Sequence, residues 1–245
     1  MPHFQPSVLA RRVAAAAFIL LLTTPATEAQ RRRRPPAGGG AAVVVDERLS
    51  ALRDAPRPTA ALIQRLGRGR LVSVTGERAA GGVRYLRVQV TSRTGGWLQS
   101  DAVVRPARAG EDARLLRLVR GSAEYDRLAR AGIMLEAFPR SALRPAALLA
   151  FGDAAAGAAE RLTREARRRL DPAEMQAGGA PLHSYFLNYN GLDRYRRLGV
   201  VFDFDAASES YRYDGAAFRE ILRRHPHSPE AAEARKRLGS PPDSP

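Results

Sequence analysis

The chain has 245 residues, a formal charge of +15 and 44% hydrophobic residues, which is enough length for two small domains and enough apolar content for a packed core. It contains no cysteine, which removes disulfides, thiolate metal sites and cysteine nucleophiles. Lys236 is the only lysine, so arginine carries the positive charge, and it is interleaved with Asp and Glu rather than gathered in a stripe beside aromatics. That pattern reads as the arginine-for-lysine usage of a GC-rich genome, and nucleic acid is not an expected partner.

In chain order, residues 1–29 read as a secretory signal peptide. Arg11 and Arg12 form its basic start, residues 13–24 (VAAAAFILLLTT) its apolar core, and Pro25 ends it. That core is shorter than the about 20 apolar residues a spanning helix needs. Thr27-Glu28-Ala29 places small residues for cleavage after Ala29, with cleavage after Ala26 as the alternative. Arg31, Arg32, Arg33 and Arg34 follow at once, and positive charge there resists translocation, so an uncleaved membrane anchor is the competing reading. Residues 30–42 form a basic Pro/Gly-rich linker. Membrane contact is expected only through the leader or this arginine tether, and the implied location is periplasmic or secreted.

Over residues 43–106 the pattern changes to short alternating runs at 61–66 (ALIQRL), 70–76 (RLVSVTG) and 83–90 (VRYLRVQV). Period-two alternation is the mark of half-buried strands. Glycine-rich breaks at 67–69 and 79–82 separate them, and a last element runs from 95 to 104 (GGWLQSDAVV). Five short strands at this spacing predict a small β-barrel.

The same stretch resembles a bacterial Src-homology-3-like (SH3-like) domain. The residues that carry the resemblance are Leu52-Arg53-Asp54-Ala55-Pro56, then Leu62-Ile63 and Leu66, Arg68-Gly69 and Val72-Ser73-Val74. Tyr85-Leu86-Arg87-Val88 and the closing Gly96-Trp97-Leu98 with Val103-Val104 complete it. It covers about 60 residues, at the lower end of domain sizes. The resemblance implies a barrel that recognises a peptide or peptidoglycan, with Arg53, Asp54, Tyr85 and Trp97 as the ligand-binding residues. Two of these have a competing structural reading. The sole tryptophan either lines a groove or packs the last turn against the barrel, the latter being favoured, and Tyr85 sits mid-strand where burial is favoured more strongly.

Residues 110–239 change to helical spacing. Leu115, Leu116, Leu118, Val119, Tyr125, Leu128, Ala129 and Ile133 recur at three and four. The next helical stretch, 142–170, is predicted to break near Gly152 or Gly157. Asp171-Pro172-Ala173-Glu174 supplies an N-cap, a proline at the first helical position and an acid at the third. Residues 134–148 and 221–235 align at a shift of 87, with Leu135, Pro139 and Ser141 on Leu222, Pro226 and Ser228. In both, a helix ends at an aromatic-proline turn and a serine begins the next helix; in the second, Ser228 is predicted as N-cap and Gly239 as the stop. These turns are similar to those between tetratricopeptide-type repeats of envelope proteins, which implies a helical surface for a protein partner. Between the copies, Val200, Phe202, Phe204, Tyr211 and Tyr213 alternate around AASES and predict a β-hairpin. Asp203 and Asp205 lack the glycine and terminal Glu of a calcium loop and read as a solvated hairpin face. The aromatic, Asn-rich stretch 183–199 is either a binding patch or, the favoured reading, a buried cluster of Tyr185, Phe186 and Tyr189. A disordered tail, 240–245, ends the chain.

The expected fold class is therefore α+β and multidomain: a small SH3-like β-barrel, then a mostly α-helical, repeat-like domain with one β-hairpin. No HExxH, G-x-S-x-G or phosphate-loop pattern occurs; beyond the leader the histidines are His183, His225 and His227, and His225-Pro226-His227 sits at a helix turn rather than on one helix face. No catalytic residue, metal or cofactor is expected. The expected function is that of a non-catalytic envelope binding or scaffold protein whose partner is a cell-wall peptide, peptidoglycan or an envelope protein. The alternatives are a structural subunit without a small ligand, and an arginine-mediated binder of anionic envelope polymers.

Overall fold

The computed structural model describes residues 40–239; the signal peptide expected over 1–29, residues 30–39 of the expected linker and the expected tail 240–245 lie outside the described residues. Seven strands form one antiparallel sheet: β1 (Gly40–Val44), β2 (Ala51–Arg53), β3 (Leu62–Arg65), β4 (Leu71–Ala80), β5 (Val83–Gln89), β6 (Gly95–Gln99) and β7 (Val103–Val104). Their order is β3-β2-β6-β5-β4-β1-β7. β4, β5 and β6 form a meander, a 3-10 turn at Ser100–Ala102 follows, and β7 returns to pair with β1. The sheet is open, with the four-residue β3 and the two-residue β7 at its two edges, so the expectation of five strands closed into a barrel is corrected. The two added strands have local causes for being missed. β2 is three residues long, too short to show alternation.

β1 begins at Gly40, so Gly40, Ala41 and Ala42 belong to the sheet rather than to the linker. It lies between β4 and β7, with Ala42 opposite Val72 and Val44 opposite Val103. Ala42 and Val44 pack into the sheet's own core with Leu52, Val72, Leu86, Val88 and Leu98. Val43 and Val45 point the other way, into a second core shared with the helices. A strand buried on both faces has no reason to alternate, and AAVVV is a continuous apolar run.

The second core is built on α3 (Arg144–Arg169), packed against α1 (Glu111–Arg120) and α2 (Glu124–Ala137) on the sheet side. α7 (Ala216–Arg224) and α8 (Glu230–Gly239) pack on α3 as well. Between them lie the short helices α4 (Pro172–Gly178), α5 (Leu182–Leu187) and α6 (Asp193–Arg196) and the expected hairpin, β8 (Phe202–Asp205) with β9 (Ser210–Tyr213). α3 does not break at Gly152 or Gly157. A mid-helix glycine costs about 1 kcal/mol against alanine. Gly152 is accommodated by tertiary packing, because a Cβ there would lie 2.4 Å from Cε1 of Phe218 on α7. The N-cap of α4 forms as predicted, with the Asp171 carboxylate accepting from the N–H groups of Ala173 and Glu174.

The internal repeat is visible in the backbone. The turn after α2 carries the bonds Phe138 N–H to Met134 O, Ser141 N–H to Phe138 O and Arg144 N–H to Ser141 O. The turn after α7 carries His225 N–H to Ile221 O, Ser228 N–H to His225 O and Ala231 N–H to Ser228 O. Each bond of the second set is the first displaced by 87 residues. The serines themselves differ. Ser141 Oγ donates to Asp112 Oδ2 at 2.6 Å and accepts from Leu143 N–H. Ser228 Oγ is buried without a hydrogen-bond partner, so its predicted side-chain N-cap is not made.

A buried arginine joins the sheet to the helices. Arg130 on α2 is 5% exposed; its Nε donates to the Val45 carbonyl at 3.0 Å, Nη1 donates to Ser122 Oγ, and Nη2 lies 3.6 Å from Asp46 Oδ2. Asp46 is held below the usual carboxylate range, chiefly by the hydrogen bonds from the Arg48 guanidinium. Burial lowers the Arg130 guanidinium, with Arg68 adding to the shift. A guanidinium nonetheless stays protonated in a protein.

Candidate ligand face

The hairpin register decides what surrounds Trp97. On one side of the sheet Leu86 faces Leu98, and both are core residues. Trp97 therefore projects from the opposite face, where it lies across from Arg87 on β5 and Arg53 on β2. Arg53 in turn lies across from Leu62 on β3, which is 51% exposed. Beyond Arg87 the neighbour is Gly76, at a bulge in β4. The result is a row across the sheet, Leu62–Arg53–Trp97–Arg87, that ends at a residue with no side chain.

Trp97 is half-buried and belongs to neither hydrophobic core. The register therefore lays Trp97 on the outer face of the sheet, part-buried between Arg53 and Arg87, rather than in either core. Arg53 is fixed by a 2.7 Å bond from its Nη1 to the Ala60 carbonyl, which also closes the loop between β2 and β3. Asp54 stands exposed at the start of that loop, its N–H donating to the Ala61 carbonyl. Tyr85 is corrected as a contact residue: it is 1% exposed, and its hydroxyl has no hydrogen-bond partner. It shares the face of Trp97 and Arg87 by alternation along β5, but it is covered. Two of the four expected residues, Arg53 and Trp97, thus lie side by side, with Asp54 exposed in the adjoining loop.

Leu62 and Arg87 were missed by the sequence reading. Alternation alone puts Tyr85 and Arg87 on one face, so Arg87 had a signal. The pairing of Leu62 with Arg53 had none, because a bulge between Leu52 and Arg53 shifts the register there.

Of the aromatic stretch 183–199, Phe186 and Tyr189 are buried, whereas Tyr185 is half-buried with its hydroxyl donating to the Met175 carbonyl at 3.0 Å. Phe186 stacks on Phe204 at 4.5 Å, Tyr189 is 6% exposed, and the Tyr211 hydroxyl donates to the Phe186 carbonyl. The face of the hairpin carrying Phe204 and Tyr211 closes this cluster, and Tyr211 N–H donates to Thr163 Oγ1 on α3. Burial pushes the Tyr211 hydroxyl up, with Tyr189 adding to the shift. Burial likewise pushes Tyr213 up to about 12. Among the described residues no cluster of His, Asp and Glu is arranged to hold a metal ion, and no helix is long and apolar enough to cross a membrane. Compared with family models, curated proteins and solved structures, the chain finds no match.

Proposed function

We propose that the protein is an exported, non-catalytic binding protein of the cell envelope, and that the face around Trp97 takes an acidic cell-wall peptide. The observation that carries this is the row Leu62–Arg53–Trp97–Arg87, an aromatic plane flanked by two guanidiniums and an exposed aliphatic side chain. Guanidiniums bind carboxylates through paired N–H donors, and a tryptophan plane supplies contact area at small entropic cost. Peptidoglycan stem peptides offer carboxylates on a short extended backbone. β3 is a sheet edge whose Leu62 and Ile63 are exposed, so such a backbone can run along it while its side chains reach the row. The strand order, the meander and the 3-10 turn before β7 support assigning the sheet to the SH3-like class.

The duplicated helix-turn-helix supports a tetratricopeptide-like role for the helical part, as the surface for a protein partner. In the repeat class, helix pairs stack to form such surfaces.

Trp97 is the only tryptophan in the chain, so its fluorescence reports on this face directly. Titration of the mature protein with a soluble stem tetrapeptide should shift and quench the emission. Arg53→Ala/Arg87→Ala should abolish that response and the capture of the protein by intact peptidoglycan. Unaltered capture by the double variant would overturn the assignment.

A further inference from the structure

A second cleft lies where the sheet meets α1, and its chemistry differs from that of the Trp97 face. It encloses about 320 Å³ and is lined from β5, the 3-10 turn, β7, the β7–α1 loop and α1. Five arginines line it: Arg84, Arg105, Arg108, Arg114 and Arg117. The acidic residues of the lining are Asp101 and Glu111.

The arginines fall into two groups. Arg105 and Arg114 form a held floor. Arg114 is pinned by Glu111 Oε2 at 3.0 Å and by the Val103 carbonyl, and Arg105 Nη1 sits 3.3 Å from Glu77 Oε2. Arg84 shares Glu77, through the other carboxylate oxygen at 3.3 Å. Arg108 and Arg117 are exposed, and neither has a carboxylate partner among the described residues. Five cations against Asp101, Glu111 and the neighbouring Glu77 leave the cleft positive, and a partly enclosed site focuses that field. The start of α1 also faces here, but Glu111 and Asp112 already compensate it. The arginines, not the helix end, make the site.

Like charges gathered in a cleft repel one another, and an anion carrying more than one charge relieves that repulsion. A planar guanidinium matches two oxygens of a phosphoryl group, and a few such groups fill a cavity of this size. We infer that this cleft binds a phosphate-bearing ligand through Arg108 and Arg117, with Arg105 and Arg114 as its fixed floor. Asp101 opposes that binding and sets its strength.

The test is calorimetry on the mature protein with pyrophosphate, at about 50 mM and about 200 mM salt. One site per chain is expected, with affinity falling steeply as salt rises. Arg108→Ala/Arg117→Ala should weaken it at least about tenfold, since each removes charged hydrogen-bond donors. Arg168→Ala/Arg223→Ala removes the same charge from exposed positions elsewhere and should change it less than about twofold. Asp101→Asn should tighten it. A parallel arm uses vesicles containing phosphatidylglycerol. Pyrophosphate binding lost in the cleft variant identifies a soluble phosphate, whereas vesicle capture lost in that variant, without pyrophosphate binding, identifies a lipid headgroup. Equal losses in both double variants, or no binding in either arm, would overturn the inference. Tryptophan emission at the other face is read in the same samples, so failure of one site does not mimic failure of the other.

Discussion

Replacing Arg130 by methionine keeps the length of the side chain and removes its charge and donors. The guanidinium is the partner of the Val45 carbonyl, which is buried at the junction of β1 and α2. Leaving a buried acceptor unpaired costs about 1–3 kcal/mol, and breaking a buried ion pair costs about 3–5 kcal/mol in total. Asp46 keeps the two hydrogen bonds from the Arg48 side chain, at 2.9 and 2.6 Å, so it is not left as an uncompensated charge. The expected loss for Arg130→Met is therefore near the lower bound, about 3 kcal/mol. Asp46→Ala is the harsher change. It leaves the buried guanidinium with Asp126, 3.8 Å away and half exposed, as its carboxylate partner, and it also removes the cap of the 3-10 turn at Glu47–Leu49. Its expected loss is about 4–5 kcal/mol. Urea unfolding of the protein measures both, and the double variant should lose less than the sum, since the two groups act on one another. The pH dependence has a defined sign. The folded Asp46 carboxyl lies below its ordinary range, so its contribution is complete above that range and disappears as pH falls through the folded value. A loss below about 1 kcal/mol for Arg130→Met, or a smaller effect for Asp46→Ala, would refute the junction role, because surface pairs cost that little.

Gly152→Ala should destabilise by about 1–3 kcal/mol, as overpacking does, although alanine is the better helix former. A thermal melt with an unchanged or raised midpoint would show that Phe218 moves aside freely. Trp97→Ala should cost less than the about 3–5 kcal/mol of a fully buried aromatic, while abolishing stem-peptide binding; a full-sized loss of stability would return Trp97 to the core. Spectrophotometric titration should find Tyr213 ionising near pH 12. Burial favours its neutral form, so its contribution holds below pH about 10 and is lost as pH rises from there to about 12. A fold equally stable at both ends of that interval would contradict its burial.

Where a segment meets one partner on one face, its residues announced it. The alternation of Val83–Gln89, the AASES hairpin and the Asp171 cap formed as their local chemistry required. Where a segment answers to a distant partner, the local signal was absent or misleading. Gly40, Ala41 and Ala42 are poor strand formers, and only pairing with β4 makes them a strand. Gly152 argued for a break, and Phe218, 66 positions later, explains its absence. The SH3-like resemblance singled out Arg53 and Trp97, which lie side by side on the candidate face. Their spatial neighbours depended on register, which a bulge resets between Leu52 and Arg53. The arginine cleft was hidden for a different reason. In a chain whose cations are nearly all arginine, the five that converge are spread from position 84 to 117 and look like the rest.

The place of β1 has a mechanical consequence. A pull on the chain at Gly40 from the N-terminal side runs along the strand axis, between β4 on one flank and β7 on the other. The ladder bonds of such a strand are loaded together in shear rather than opened one by one. The Val43 and Val45 side chains anchor the same strand in the helical core, and the Val45 carbonyl is clasped by Arg130. Tension applied at Gly40 is met first by β1, held by β4 and β7 on its flanks and by the helical core and Arg130 at its end.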